Sequence, residues 1–283
     1  MYSDSHCHLF YILQKNIDLS MLIAEMKKEN FRFVMDIGIA AGDYTKRFAA
    51  VADACGGKQN IPDFIFFSAG LWPAPEPIQN PQANLALLEK DLQSILAGNQ
   101  KYTALGECGI DRYWNGEAAK KRNNSGTEDT EAEEQLFIEQ LIMAKKYKLP
   151  VIIHSRDGFE PTIRCIDQVG WHKGVIHCYS YGIQEAQQFI ERGWYISFPG
   201  NITFAKKEED RRFIASLVQS IPRHRLLLET DSPYLSPAPL RGKTNTPLHI
   251  RHTYAKAAEI LQISEPELAN LIFENCQTLF KRA

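Results

Sequence analysis

Eight short apolar segments recur along the chain, and most are separated by segments with the periodicity of amphipathic helices. Several of the apolar segments, such as V-I-I at 151–153 and L-L-L at 226–228, offer apolar side chains to both faces. Parallel strands covered by helices on both sides have this composition. The alternation predicts βαβ units, and therefore a TIM barrel or an open doubly wound sheet. The predicted strands are 2–8, 33–39, 64–70, 102–107, 150–154, 174–178, 194–198 and 225–231, and the predicted helices are 20–29, 43–54, 82–96, 131–146, 183–192, 207–220, 248–261 and 266–280.

Polar residues at the strand ends separate these two architectures. Five of the eight predicted strands end in His, Glu or Asp. The carboxyl ends of the strands of a barrel converge on one mouth, whereas those of an open sheet spread along a crevice. We therefore predict an α/β fold of the TIM (β/α)8 barrel type, with residues 1–283 as a single domain. The polar stretch 115–134 is predicted to be a long loop running into a helix, either a solvated insertion or a lid over the mouth.

The charge balance limits how this chain can hold nucleic acid. It has 32 basic and 34 acidic residues and a net charge of -2, without the basic excess of proteins that grip long duplex DNA through its phosphates. A nucleic acid substrate would be held mainly by an active site and its metals, or by a local basic patch.

Cysteine usage and the N-terminus predict a cytoplasmic location. The six cysteines are scattered without a C-x-x-C pair, as expected of reduced thiols. A strand predicted to start at residue 2 leaves no room for a signal peptide, and no apolar run approaches membrane-spanning length. We expect no membrane partner.

The first and last predicted strands carry candidate metal ligands. His6 and His8 project from the same face of a strand, and paired imidazoles suit several divalent metals, although an isolated H-x-H pair is more often structural. Glu229 and Asp231 share one face of the last strand, which Pro233 ends. Alone they would be read as a solvated strand end. Barrel closure would bring Asp231 beside the two histidines.

Three further candidates end the fourth, fifth and sixth predicted strands. Glu107 lies in G-E-C-G at 106–109, where a carboxylate can bridge two cations through its two oxygens; the alternative is a capping or solvated glutamate. His154 and His177 end adjacent strands at the same height. Each alone would be read as a satisfied core histidine, but together they favour a shared ion.

Taken in order, these motifs resemble the TatD family of metal-dependent deoxyribonucleases, in the amidohydrolase-like superfamily. The resemblance implies a (β/α)8 barrel, a divalent-metal hydrolase and activity on DNA, often as an exonuclease on single strands. It spans nearly the whole chain and rests on D-S-H-C-H-L (4–9), G-E-C-G-I-D (106–111), I-I-H-S-R-D (152–157), H-C-Y-S-Y-G (177–182), E-T-D-S-P (229–233), R-G-K-T-N (241–245) and N-C-Q-T-L-F (275–280).

The same resemblance implies a role for each candidate. Two divalent cations, such as Mg, Mn or Zn, would activate a water for attack on a phosphodiester. Asp231 and Glu107 would be the catalytic residues, with Asp231 orienting that water or taking its proton. Glu229 would contact the metal ligands without binding a metal itself. Carried over by position, one ion would be held by His6, His8 and Asp231, and the second by His154 and His177, with Glu107 bridging both.

Substrate contacts are predicted from side chains that follow or flank the strand ends. Arg156, Arg112, Arg241 and Lys243 are candidates for phosphate contacts, with solvated surface positions as the alternative. DNA, as single strands or strand ends, is the expected partner, and a monomer is one oligomeric state that the sequence leaves open. Aromatic side chains that can stack on exposed bases, or else simply pack the loops, are Trp72, Tyr113, Trp114 and Tyr179.

Three departures from the family pattern bear on substrate preference more than on the metal site. Trp72 stands where the family commonly has His-Pro, Thr246 stands where a glutamate is usual, and the segment 115–134 is longer.

Two other functions remain open from the residues. Amidohydrolase-type enzymes that cleave C–N or C–O bonds also begin with H-x-H, but they usually bridge their ions with a carboxylated lysine where this chain has Glu107. A non-catalytic metal-binding protein is disfavoured because all six candidate ligands are present.

Overall fold

The computed structural model describes residues 1–98, 103–122 and 126–282. Its strands form one eight-stranded sheet in chain order, and every hydrogen-bonded neighbour is parallel. The strands are β1 (Ser3–Cys7), β2 (Phe33–Asp36), β3 (Ile65–Ala69), β4 (Thr103–Asp111), β5 (Val151–Arg156), β6 (Gly174–Ile176), β7 (Tyr195–Phe198) and β8 (Leu226–Leu228).

The chain closes this sheet where β1 meets the residues that follow β8. Cys7 forms a parallel bridge with Ser232. The backbone N–H of His8 donates to the Ser232 carbonyl at 2.8 Å, and that of Asp231 donates to the His6 carbonyl at 2.9 Å. The prediction of a TIM (β/α)8 barrel is confirmed, and the open doubly wound sheet is excluded.

Helices cover the outside of the barrel. Side-chain caps hold the first turns of three of them: Asp18 before α2, Asp129 before α7 and Ser264 before α12 each accept a backbone N–H. The helices in the described part of the chain are α1 (Leu9–Leu13), α2 (Leu19–Lys28), α3 (Tyr44–Ala54), α4 (Pro75–Gln79), α5 (Pro81–Ala97), α6 (Glu117–Lys121), α7 (Thr130–Tyr147), α8 (Phe159–Val169), α9 (Ile183–Glu191), α10 (Glu208–Ser220), α11 (Ile250–Leu261) and α12 (Glu265–Phe280).

Eight of these helices match predicted ones within two residues at each end, and four were missed. The missed helices α1, α4 and α6 have five residues each, too few to display a helical period. The fourth, α8, carries Pro161 in its first turn, a position where proline breaks no helical hydrogen bond. It supplies the crossover between β5 and β6.

The strands are buried on both faces, as their composition predicts. The apolar residues of β5 and β8, from Val151 to Ile153 and from Leu226 to Leu228, are fully buried, and each such side chain contributes about 1.5–3 kcal/mol to folding. At the opposite end of the barrel from the mouth, the Tyr254 hydroxyl donates to the Ser3 carbonyl and accepts from the Ser3 N–H. This pair ties α11 to the start of β1. The packed barrel is a rigid support for the strand ends.

The described residues of the segment 115–134 hold more regular structure than the predicted loop. The segment contains α6, and α7 begins at Thr130. The buried Asn115 side chain donates to the Pro73 carbonyl and to Glu133, each at 2.8 Å, and the Gly116 N–H donates to the Thr127 carbonyl. Residues 123–125 of the loop tip predicted at 123–126 lie outside the described residues, as does the predicted strand start at 102.

The sequence predicts reduced cysteines and no membrane-spanning segment. All six cysteines are free. Among the described helices, none combines the length and the apolarity needed to cross a bilayer.

Candidate metal centre

Six predicted ligands meet at the carboxyl end of the barrel. They come from five different strand ends, and all lie within the strand or in the three residues that follow it. Four are buried, whereas the side chains of His154 and Asp231 keep 15% and 14% of their surface exposed. The six are His6, His8, Glu107, His154, His177 and Asp231.

One half of the cluster is formed by the ends of β1 and β8. His6 Nε2 lies 3.3 Å from His8 Nε2, 3.3 Å from Glu107 Oε2 and 3.6 Å from Asp231 Oδ1. His8 Nε2 lies 3.5 Å from the same Asp231 oxygen. One ligand atom from each of His6, His8 and Asp231 falls within 4.8 Å of the other two, close enough to share an ion.

The other half is formed by β5 and the residue after β6. His154 Nδ1 and His177 Nε2 each lie 2.9 Å from Glu107 Oε1 and are 3.2 Å from each other. The rings of His6 and His177 stack at 3.9 Å, which brings the two halves into contact. Glu107 therefore points one carboxylate oxygen at each half.

A register shift in β4 explains why Glu107 reaches the centre. Gly106 pairs with Ile152 and Cys108 pairs with Ile153, so Glu107 is the extra residue between two consecutive partners. Gly109 allows the tight pairing that follows, because a Cβ there would lie 2.0 Å from the His154 carbonyl oxygen and the residue has φ +145°. The bulge re-aims Glu107 into the barrel mouth, a placement that strand alternation alone does not predict.

Hydrogen-bond acceptors outside the cluster orient two of the four imidazoles, those of His154 and His8, and a third imidazole faces a carboxylate without a hydrogen bond. His154 Nε2 lies 2.8 Å from Asp111 Oδ2, His8 Nδ1 lies 3.3 Å from the Ile37 carbonyl, and His177 Nδ1 lies 3.5 Å from Glu229 Oε1. We assign the N–H of each ring to the nitrogen that faces its acceptor. The other nitrogen then presents a lone pair to the cluster, as histidine ligands of metals do.

Glu229 and Asp111 thus each place a carboxylate behind a histidine of the cluster, but sequence analysis predicted such a role only for Glu229. Glu229 also accepts the Cys178 N–H at 2.6 Å, which fixes the turn after β6. Asp111 accepts the backbone N–H groups of Tyr113 and Trp114 through Oδ1, which leaves Oδ2 for His154. The G-E-C-G-I-D motif already contained Asp111. Its position four residues after Glu107 was the available signal.

Asp111→Asn is expected to weaken metal binding at the His154 half by about 10–100-fold, the usual cost of losing an acceptor behind a histidine ligand. The asparagine oxygen can still cap the turn at Tyr113, but the amide nitrogen cannot accept the N–H of His154. Titration of the metal-free protein by calorimetry measures the effect. Asp129→Asn, which keeps its helix cap away from the cluster, is the matched control, and equal affinities for the two variants would contradict the assignment.

Burial and mutual charge set the ionisation of the cluster. Burial alone would raise the pKa of the Glu107 carboxyl, but His177, His154 and His6 lower it well below its usual range. Burial alone would lower the pKa of a histidine, yet Glu107 raises that of His177 well above its usual range. The pKa values of His8 and His154 are also raised, against burial, by Asp231 and Asp111 respectively. Burial and the neighbouring His177 lower the pKa of His6.

Metal stabilisation is therefore expected to grow as the pH rises above the ordinary histidine pKa of 6.5. His8, His154 and His177 retain protons because their pKa values are raised, and a cation must displace these protons to bind. In the metal-free protein these protons stabilise the folded state at pH values below 6.5, the pKa of histidine in the unfolded chain. This contribution to stability is lost as the pH rises through the raised pKa values of the folded state. The Tm difference between manganese-loaded and metal-free protein should widen with pH, and a constant difference would refute this account.

An open cavity of about 600 Å³ covers the cluster. Of the residues predicted to contact substrate, Trp72, Trp114 and Arg156 line it. Tyr113 lies under Arg156, whose guanidinium is 3.7 Å from the centre of the tyrosine ring. The Trp72 ring meets His154 edge-on at 5.8 Å.

Four other predicted contacts, Tyr179, Arg241, Arg112 and Lys243, do not line the cavity. Tyr179 is 2% exposed, and its hydroxyl donates to the Gly182 carbonyl, so its ring is packed in the core rather than free for stacking. The Arg241 guanidinium lies over the Phe204 ring at 3.6 Å, away from the cavity lining. Arg112 is held by Glu133 and Glu134.

Two cavity-lining tyrosines were missed by sequence reasoning. Tyr11 lies in the short helix α1, and Tyr234 follows Pro233 after the last strand. The only signal was their closeness in sequence to the H-x-H and E-T-D-S-P motifs.

The donor set fits divalent cations. Imidazole nitrogens and carboxylate oxygens are ligands for zinc, manganese and similar metals. When the histidines are neutral, the lone pairs of several imidazoles point towards the Glu107 carboxylate. A cation between them would supply the positive charge that this arrangement needs. Three buried polar atoms here, Nδ1 of His6, Nδ1 of His177 and Oε2 of Glu229, have no hydrogen-bond partner among the described residues.

Comparisons with known proteins identify the family and the fold. The model of the TatD related DNase family matches residues 3–281. The Escherichia coli K12 protein described as uncharacterized metal-dependent hydrolase YcfH is 30% identical, with 98% of this chain and 94% of that protein covered. The crystal structure of YJJV, a TatD homologue from E. coli K12, has a TM-score of 0.76 at 24% identity and covers 99% and 97% of the two chains. An uncharacterized amidohydrolase from Saccharomyces cerevisiae shares the fold, with a TM-score of 0.67 at 15% identity over 93% and 92%.

Proposed function

Since this chain belongs to the TatD related DNase family and is a metal-dependent hydrolase, we propose that it cleaves phosphodiester bonds in DNA. The proposed reaction is the removal of nucleotides from single-stranded DNA in the 3′-to-5′ direction. The catalytic unit is the barrel, proposed to be a single domain over residues 1–283.

The observation that carries this proposal is the position of Glu107 between the two halves of the cluster. Its Oε1 lies 2.9 Å from His154 and His177, and its Oε2 lies 3.3 Å from His6. A carboxylate shared in this way is suited to two cations, of which one would be held by His6, His8 and Asp231 and the other by His154 and His177. Bound cations supply Lewis acidity and an activated water.

Asp231 is proposed as the proton acceptor in this site. Its side chain is 14% exposed, against 6% for Glu107, so it is the carboxylate of the cluster that incoming water reaches most readily. Its N–H is held by the His6 carbonyl and its own carbonyl accepts from Tyr234. This fixed backbone keeps Oδ1 aimed at His6 and His8, where it can take a proton from the attacking water.

Arg156 is proposed to hold a phosphate oxygen beside the cluster. It lines the cavity, and its guanidinium rests on the Tyr113 ring, which orients it without neutralising its charge. Trp72, edge-on to His154, offers a surface on which a base can stack.

A strand-release assay tests the function directly. The protein, loaded with manganese or magnesium, is incubated with a single-stranded oligonucleotide labelled at its 5′ or 3′ end, and products are resolved on denaturing gels. The proposal expects a ladder of shortening 5′-labelled products and early release of the 3′ label. Fragments from internal cuts would contradict the exonuclease assignment, and absence of cleavage by metal-loaded protein would refute the nuclease.

The alternative function is hydrolysis of a C–N or C–O bond in a small molecule. A panel of amides and lactones in the same metal buffers separates the two, and turnover of those substrates alone would favour the amidohydrolase reading. Glu107 argues against it, because a carboxylate occupies the place that such enzymes usually give to a carboxylated lysine.

A further inference from the structure

The rim of the cavity beside His8 carries two tyrosines without a role in the proposed reaction. The ring centres of Tyr11 and Tyr234 lie 5.7 and 6.2 Å from that of His8, and both rings meet the imidazole edge-on. Tyr234 is 53% exposed, an unusual state for a large aromatic residue next to buried ligands. We call Tyr11 and Tyr234 the tyrosine wall.

The backbone that carries Tyr234 is held rigidly. Its N–H donates to the Asp231 carbonyl at 2.9 Å, and its carbonyl accepts from the Asn245 side chain at 2.6 Å. The same Asn245 nitrogen donates to the Thr230 carbonyl at 2.9 Å. The turn is therefore fixed on both sides of Asp231, while the ring of Tyr234 keeps an open face. Such a ring binds a flat ligand with little further loss of conformational freedom.

Charge in the cavity does not account for the binding of a polyanion. Among the described residues that line it, Arg156 is the one side chain with a permanent positive charge, against the carboxylates of Glu107, Asp111 and Asp231. Cations in the cluster would hold a phosphate at the centre but would leave the flanking nucleosides without partners. Stacking on aromatic rings supplies such a partner, and it needs no charge.

The aromatic rings lie at both ends of the cluster. Trp72 flanks His154 in one half, and the tyrosine wall flanks His8 in the other. A phosphodiester placed over Glu107 has one nucleoside on each side, so each end of the cluster faces one of the two flanking bases.

From this geometry we propose that the tyrosine wall, with Tyr234 as its exposed face, is a binding site for an unpaired nucleobase next to the scissile phosphate. The inference rests on the proposed function. A base inside a duplex has both faces covered by its neighbours, so the site takes only a base that is free of the stack.

Abasic substrates test the contact itself. The kcat and KM of wild type, Tyr234→Ala and Tyr234→Phe are measured on a single-stranded oligonucleotide and on two versions with an abasic residue on one or the other side of the terminal scissile phosphate. Tyr234→Ala should lower kcat/KM on the intact strand by roughly 5- to 150-fold, mainly through KM. Tyr234→Phe, which keeps the ring, should stay near wild type.

One abasic substrate should abolish this difference and the other should keep it, which identifies the base that the wall holds. Phe213→Ala is the matched control, because Phe213 is 51% exposed on α10 and does not line the cavity. An equal loss for Tyr234→Ala on all three substrates, or no loss, would overturn the wall while the nuclease stands. Failure of the wild type to cleave any of them would overturn both.

Discussion

Glu107→Ala is expected to remove hydrolytic activity while the barrel stays folded. The carboxylate contacts His6 through one oxygen and His154 and His177 through the other, so its loss affects both halves of the cluster. Losing a hydrogen-bond partner of a metal ligand already costs about 10–100-fold. Removing a shared ligand should cost more, with a fall in kcat/KM of at least about 1,000-fold and less bound metal.

The two readouts for this variant are turnover of the labelled single strand and metal content by elemental analysis. Circular dichroism and Tm verify the fold, since no apolar core contact is lost. Glu131→Gln, on the exposed face of α7, is the matched control and should leave both readouts unchanged. Turnover that persists with a full complement of metal would disprove the bridging role of Glu107.

Arg47→Met is expected to give the largest loss of stability. Its guanidinium is 2% exposed and donates to Asp36 Oδ2 at 2.6 Å, to Asp43 Oδ1 at 2.9 Å and to the Ser68 carbonyl at 2.6 Å. Methionine fills much of the space but leaves Asp36 buried without its cation. Breaking a buried ion pair in this way costs about 3–5 kcal/mol of unfolding free energy.

Urea unfolding followed by fluorescence measures this loss. The double variant Arg47→Met with Asp36→Asn should be more stable than Arg47→Met alone, because it removes the stranded charge and keeps an oxygen for the Leu9 N–H. Arg211→Met, on the exposed surface of α10, should cost about 0.5 kcal/mol or less. A double variant no more stable than the single one would show that the stranded charge is not the cause.

Arg47 also links stability to the position of the site. It holds the Asp36 carbonyl at the end of β2 and the Ser68 carbonyl in β3. The next residue after Asp36 is Ile37, whose carbonyl faces His8 Nδ1 at 3.3 Å. A buried cation between two strand ends thus fixes the acceptor that orients one of the histidines.

Local pattern was sufficient to predict the barrel and the six residues of the cluster. An apolar run buried on both faces shows itself within a few residues, and so does a His, Glu or Asp that ends it. Their order along the chain adds the rest, since parallel strands in chain order bring all carboxyl ends to one mouth. The role of these six residues as metal ligands stays a prediction until a metal is measured.

Contacts between distant strands decided the remaining features. The bulge that aims Glu107 arises from pairing of β4 with β5, and the acceptor role of Asp111 requires His154, 43 residues away. The ring of Tyr179 is buried and that of Tyr234 is exposed, although each follows a ligand in an equally polar strand end. Period and spacing describe neighbours within one element, whereas exposure, hydrogen-bond partners and side-chain aim depend on which elements the closed barrel brings together.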